Sequence, residues 1–223
     1  MTVMERLANS IIVPVVVLDK VEDAVPTAKA MAAGGVDTME ITFRTACAPE
    51  AIRAVAENCP EVLVGAGTII NVEQARLAVE MGAKFIVSPG FSEEVVGWCV
   101  ENNIPVAPGC VTPTEIMAAL KHGLKMVKFF PANVYGGLNA MKNLSAPFVG
   151  LKFLPPAVST PATSRSTSML PSSTPWAAPG SAPRLTLQQV TGKRSPSFAR
   201  MPVLPQNKKG NRTIWQESLP LVS

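Results

Sequence analysis

Up to about residue 154 the chain alternates between short runs of consecutive apolar residues and stretches whose apolar positions recur at helical spacing. The apolar runs predict strands over 11–18 (IIVPVVVL), 36–43 (VDTMEITF), 62–69 (VLVGAGTI), 84–90 (KFIVSPG), 104–110 (IPVAPGC) and 125–132 (KMVKFFPA). A seventh strand opens at 150–154 (GLKFL), and helices are predicted over 1–10, 21–33, 49–58, 72–81, 93–102, 114–121 and 138–144. Gly34-Gly35 stop the second helix, and Pro49 occupies the first turn of the third. Asn71 and Ser92 can cap the next two, and Thr112-Pro113-Thr114-Glu115 has the form of a capping box with proline just inside. Strand–helix alternation with short connections implies parallel pairing, and continuous apolar strands imply a sheet covered on both faces. An open doubly wound sheet and a (β/α)8 barrel both satisfy this. The first strand–helix turn lacks a GxGxxG, which counts against a dinucleotide-binding sheet, while polar residues gathered at strand C-terminal ends favour the parallel (β/α)8 TIM barrel.

Composition modifies this picture mainly at its end. The 223 residues, 47% of them hydrophobic, suffice for one sizeable core. After residue 154 the periodicity stops. Residues 155–223 are rich in Ser, Thr, Pro and Arg and hold a single carboxylate, so they form a second region, expected to be a disordered basic tail. The net charge of +4 comes from this late excess and does not by itself imply nucleic acid. The four cysteines (47, 59, 99 and 110) lack a metal-ligand spacing and His122 is the only histidine, so reduced thiols, no structural zinc and a cytoplasmic protein are expected. No apolar run approaches the roughly 20 residues of a membrane span, and the N-terminus lacks a signal-peptide pattern, so no membrane partner is expected.

The candidate chemistry centres on Lys128, which lies in an apolar run and is followed by two phenylalanines and a proline. Apolar surroundings disfavour an ammonium and favour the free amine that attacks a carbonyl to form a Schiff base. A solvated lysine at a strand end, its stem lying over the rings, is the structural alternative. In a barrel, Glu40 and Arg44 at the end of the second strand, Thr68 at the end of the third and Pro89 at the end of the fourth share one rim with Lys128. Singly they read as an ion pair, a helix-start hydroxyl and a turn former, and Gly65 and Gly67 as close-approach glycines without a ligand. Together they offer an amine to form an imine, a carboxylate to move protons, and a guanidinium and hydroxyl to hold a keto acid's carboxylate.

The segments GGVDTMEITFRT, VGAGTI, FIVSPGF, IPVAPG and VKFFPA, in this order and spacing, resemble the 2-keto-3-deoxy-6-phosphogluconate (KDPG) aldolases, which also act on 4-hydroxy-2-oxoglutarate (KHG). The resemblance covers about the first 154 residues. It implies a class I, metal- and cofactor-independent aldolase on a TIM barrel, a homotrimer, cleaving its keto acid to pyruvate and glyceraldehyde 3-phosphate. By position Lys128 matches the Schiff-base lysine and Glu40 the general acid/base. Arg44 and Thr68 match the carboxylate-binding residues, and Pro89 and Phe130 the apolar lining of the pocket. A phosphogalactonate-type aldolase shares the lysine and glutamate, and a non-catalytic relic that cannot close its barrel is the reading from another class.

The family continues its seventh strand into Pro-Thr-Gly-Gly and an eighth ending in Gly-Gly-Ser-Trp, whose amides cradle the substrate phosphate. Here the chain departs. With each codon shifted back by one base, 156–164 (PAVSTPATS) can encode TGGVNPGDL, 173–182 (STPWAAPGSA) VDAVGGSWLC and 190–196 (VTGKRSP) GDWEKIT. The tail thus looks like the family's own ending read out of frame, and the barrel is expected to be incomplete after strand seven.

Overall fold

The computed structural model describes residues 1–154, Ile11 and Asn133 excepted. The expectations for residues 155–223 lie outside the described residues. Seven helices and seven strands alternate within them, as the apolar pattern predicts. The order is α1 (Val3–Asn9), β1 (Val15–Val16), α2 (Ala24–Ala33), β2 (Thr38–Thr42), α3 (Ala48–Asn58), β3 (Leu63–Gly67), α4 (Val72–Glu80) and β4 (Ile86–Val87). It continues with α5 (Glu93–Glu101), β5 (Val106–Ala107), α6 (Pro113–Lys121), β6 (Met126–Lys128), α7 (Gly137–Ser145) and β7 (Lys152–Leu154).

Local chemistry sets the boundaries. Asn71 accepts a hydrogen bond from the Gln74 N–H and Ser92 one from the Val95 N–H, opening α4 and α5. Thr112 and Glu115 form the full reciprocal capping box of α6. The ladders of β1, β4 and β5 are shorter than their apolar runs because proline lacks an N–H to donate. Pro14, Pro105 and Pro108 nonetheless accept from the Glu40, Ile86 and Lys128 amides at 2.8 Å each, so the strands stay in register beyond their formal ends.

β1 to β5 pair in parallel in sequence order, and β6 pairs in parallel with β7. A single parallel bridge, Gly109 to Lys128, joins the two sheets, with the Cys110 N–H donating to the Lys128 carbonyl at 2.8 Å. The strands therefore follow one another round a TIM barrel. Alternation sorts their side chains. Met39 and Ile41 point outward into the layer shared with the helices, together with Ala28, Ile52, Val55 and Val96. Val13, Leu63, Phe85, Val87, Ala107, Met126 and Leu154 fill the barrel interior, where Leu7 and Ala8 of α1 join them. Arg6 of α1 donates to the Asp37 and Glu61 carbonyls, at 2.9 and 2.6 Å, just ahead of β2 and β3. That contact fixes α1 across the N-terminal mouth and leaves the opposite rim for chemistry.

Candidate active site

Three strands supply the centre of that rim. On β2 the inward positions alternate as Thr38, Glu40 and Thr42, all buried, and on β6 they are Met126 and Lys128. Glu40 and Lys128 are 88 residues apart in sequence, yet the Lys128 Nζ donates to both Glu40 carboxylate oxygens, at 3.1 and 3.3 Å. Glu40 is 1% exposed and Lys128 6%, so water screens the pair little. Burying two charges is offset only when each finds a partner, which this geometry supplies. Thr42, two residues further along, donates to the Val16 carbonyl at 3.3 Å and fastens β2 to β1 beside the pair.

β3 makes the space. Its inward positions Gly65 and Gly67 carry no side chain, and neither has a left-handed φ, so bulk rather than backbone conformation calls for glycine. A Cβ at Gly65 would lie 2.4 Å from the Phe85 ring, and one at Gly67 would lie 2.0 Å from Glu40 Oε1. Phe85 thus extends beneath Gly65 as part of the apolar floor. Gly109 plays a related part on β5, where its Cα lies so near the Pro89 carbonyl that a Cβ would meet that oxygen at 2.2 Å.

The other sequence-predicted residues line the rim. Arg44 Nε donates to the Thr68 hydroxyl at 3.0 Å, which leaves Glu40 to Lys128 instead of pairing it with Arg44. Thr68 has φ 59°, a left-handed conformation that is an outlier for a β-branched residue and that accumulates at functional sites. Phe130 is 37% exposed, and its ring centre lies 5.3 Å from the Lys128 Nζ. Pro89 is exposed at the end of its strand, with its carbonyl packed on Gly109. The arrangement therefore brings Lys128, Glu40 and Phe130 into one cluster and Arg44 and Thr68 into a second.

Two features were not readable as site features from the sequence. Gly65 and Gly67 stood out as close-approach glycines, but what approaches them depends on β2 and β4. Thr42 carried no signal beyond lying two residues from Glu40, the spacing that puts both on one face of a strand.

The chain matches the family model described as KDPG and KHG aldolase over residues 3–177. It is 47% identical over 154 residues to the 2-dehydro-3-deoxy-phosphogluconate aldolase of Treponema pallidum (strain Nichols), covering 69% of this chain and 73% of that one. It is 45% identical over 159 residues to the KHG/KDPG aldolase of Escherichia coli (strain K12), covering 71% and 75% respectively. A crystal structure of the KDPG aldolase from Legionella pneumophila, with pyruvate captured at low pH as a covalent carbinolamine intermediate, matches with a TM-score of 0.71 at 34% identity. That match covers 77% of this chain and 82% of the other. Fold and relatives together define a carbon–carbon lyase on a TIM barrel. The chain belongs to the KDPG and KHG aldolase family.

Proposed function

We propose that the chain cleaves KDPG to pyruvate and glyceraldehyde 3-phosphate, and KHG to pyruvate and glyoxylate, through a Schiff base on Lys128. The observation that carries this is the buried Lys128–Glu40 contact at 3.1 Å on the C-terminal rim of the barrel. The Lys128 amine adds to the C2 carbonyl, and loss of one water gives an iminium that draws electrons from the C3–C4 bond. Glu40 takes the proton of the C4 hydroxyl as that bond breaks and the aldehyde leaves. It returns the proton to C3 of the resulting enamine, and one water hydrolyses the pyruvate imine to restore the lysine. Arg44 holds the C1 carboxylate through two parallel hydrogen bonds while Thr68 orients it, and Pro89 and Phe130 form the apolar walls. No metal or cofactor enters this scheme. The pyruvate carbinolamine in the Legionella relative supports the covalent route.

Steady-state release of pyruvate from each substrate tests the assignment. Lys128→Ala is expected to abolish turnover, and Glu40→Gln to lower kcat by roughly 10²–10⁴-fold with KM little changed. A Glu40→Gln variant within threefold of the parent would overturn the acid–base role. We also place the protein in the cytoplasm as a homotrimer. Among the described residues no helix is long and apolar enough to cross a membrane. Exposed Ile70, Met117, Val134 and Val149 supply apolar surface that self-association would cover.

A further inference from the structure

Glu40 does not point straight across to its register partner. Along the β2–β3 ladder Glu40 pairs with Gly65 and Thr42 pairs with Gly67, yet the side chain of Glu40 lies over Gly67, one inward position nearer the open rim. A Cβ on Gly67 would stand 2.0 Å from Glu40 Oε1 and 2.5 Å from both Cδ and Cγ, distances that no real pair of atoms sustains. Glu40 has no free direction in which to yield. It is 1% exposed, with Thr42 buried beside it on the same face and Phe85 filling the space above Gly65. The φ of Gly67 lies outside the left-handed region, so an alanine there meets no backbone objection.

From this we infer that Gly67 is a positioning residue for the reaction. The absence of its side chain is the slot in which Glu40 lies, and the slot holds the carboxylate within 3.1 and 3.3 Å of the Lys128 Nζ. The inference rests on the acid–base reading of Glu40 for its catalytic consequence, but the slot itself rests on shape alone. One methyl group at position 67 swings the carboxylate to another rotamer, away from both the amine and the carbon that it must protonate. A displacement of this kind, on the order of 1 Å, is enough to cost about 10²-fold in rate. Imine formation draws on the Lys128 amine and survives. Proton transfer at C3 draws on the carboxylate and does not.

The test uses the full 223-residue chain as the parent, Gly67→Ala, Glu40→Gln, Glu40→Ala and the double variant Glu40→Ala/Gly67→Ala. Three quantities are measured: thermal midpoint, the pyruvate adduct trapped by borohydride, and exchange of the pyruvate methyl protons with deuterium oxide followed by NMR. Gly67→Ala is expected to keep the adduct while slowing exchange about 100-fold or more. It should lower the melting temperature of the parent but leave that of Glu40→Ala unchanged, because the atoms it would strike are gone. Should Gly67→Ala alone fail to fold, folding of the double variant like Glu40→Ala supports the slot, and its failure overturns it. The inference also falls if the melting temperature drops equally in both backgrounds, or if Gly67→Ala exchanges within threefold of the parent. Loss of the adduct from Gly67→Ala when Glu40→Gln retains it likewise overturns it. Full exchange by Glu40→Gln would sink the acid–base reading, and the stability comparison would still decide the slot.

Discussion

A buried lysine and glutamate in direct contact serve reactivity at the expense of stability. Removing one member leaves the other uncompensated, which typically costs about 3–5 kcal/mol, whereas replacing both with apolar residues of similar volume is often neutral or stabilising. Lys128→Met should therefore lower the urea midpoint sharply, and the double variant Lys128→Met/Glu40→Leu should restore or exceed the parent's. A double variant no more stable than Lys128→Met would show that the pair is not the strained element described here. Thr68 makes a similar trade. Holding a non-glycine residue at φ 59° costs roughly 1–3 kcal/mol, while glycine adds about 0.5–1 kcal/mol of unfolded-state entropy. Thr68→Gly is thus expected to melt no lower than the parent, while KM for the keto acid rises because Arg44 loses its hydroxyl partner. A lower melting temperature with unchanged KM would contradict both halves of that account.

At the level of elements, two local features set how the protein responds to pH. Burial pushes the Cys99 and Cys110 thiols from 9.0 up to about 12, with the charge of Glu115 adding to the effect at Cys110. These thiols stay protonated in the folded chain over a range where the unfolded chain ionises. The stability they contribute is full below pH 9.0 and is lost as pH climbs toward about 12. A thiol reagent at pH 8 should accordingly leave Cys99 and Cys110 untouched until denaturant is added. Glu115 works in the opposite direction. Burial tends to raise its carboxyl, but hydrogen bonds from the Val111 amide, the Thr112 hydroxyl and the Thr112 amide outweigh that and hold it below 4.5. Its contribution is present above that value and is lost as pH falls through the lower folded value. Glu115→Ala should cost about 1 kcal/mol at pH 7 and much less at pH 3, as measured by urea unfolding.

These same elements show what a single sequence can and cannot reveal. The caps at Asn71, Ser92 and Thr112 were legible because a cap is decided by residues within one turn of itself. Strand length was less legible, since Pro14, Pro105 and Pro108 shorten a ladder without interrupting an apolar run. Lys128 was visible as a lysine out of place in such a run, and Glu40 as a carboxylate ending another. Their contact spans 88 residues and exists only once the barrel curls, as does the approach of Glu40 to Gly67. The left-handed turn at Thr68 left no trace, because nothing in its composition distinguishes it from an ordinary helix-start hydroxyl.

For the molecule as a whole, the question is how much of the family's site the chain carries. The rim assembled by β2, β3 and β6 lies wholly within residues 1–154 and needs nothing from later in the sequence to bring Lys128 and Glu40 together. After residue 154 the chain reads PPAVST, where the family has the Pro-Thr-Gly-Gly that cradles phosphate. We propose that this tail, 155–223, is a frame-shifted ending and that phosphate recognition is lost with it. Phosphorylated KDPG and an unphosphorylated keto acid should then turn over at comparable kcat/KM. A strong preference for the phosphorylated substrate would contradict this, and resequencing of the codons around residue 155 would settle the frame.

The central claim is that Lys128 is a nucleophile held ready on an assembled rim, and trapping tests it most directly. The parent chain and Lys128→Ala would each be incubated with pyruvate and borohydride, and their intact masses compared. The account predicts one pyruvate-derived adduct on the parent, mapping to the peptide that contains Lys128, and none on the variant. An unmodified parent, or an equal adduct on both chains, would contradict it.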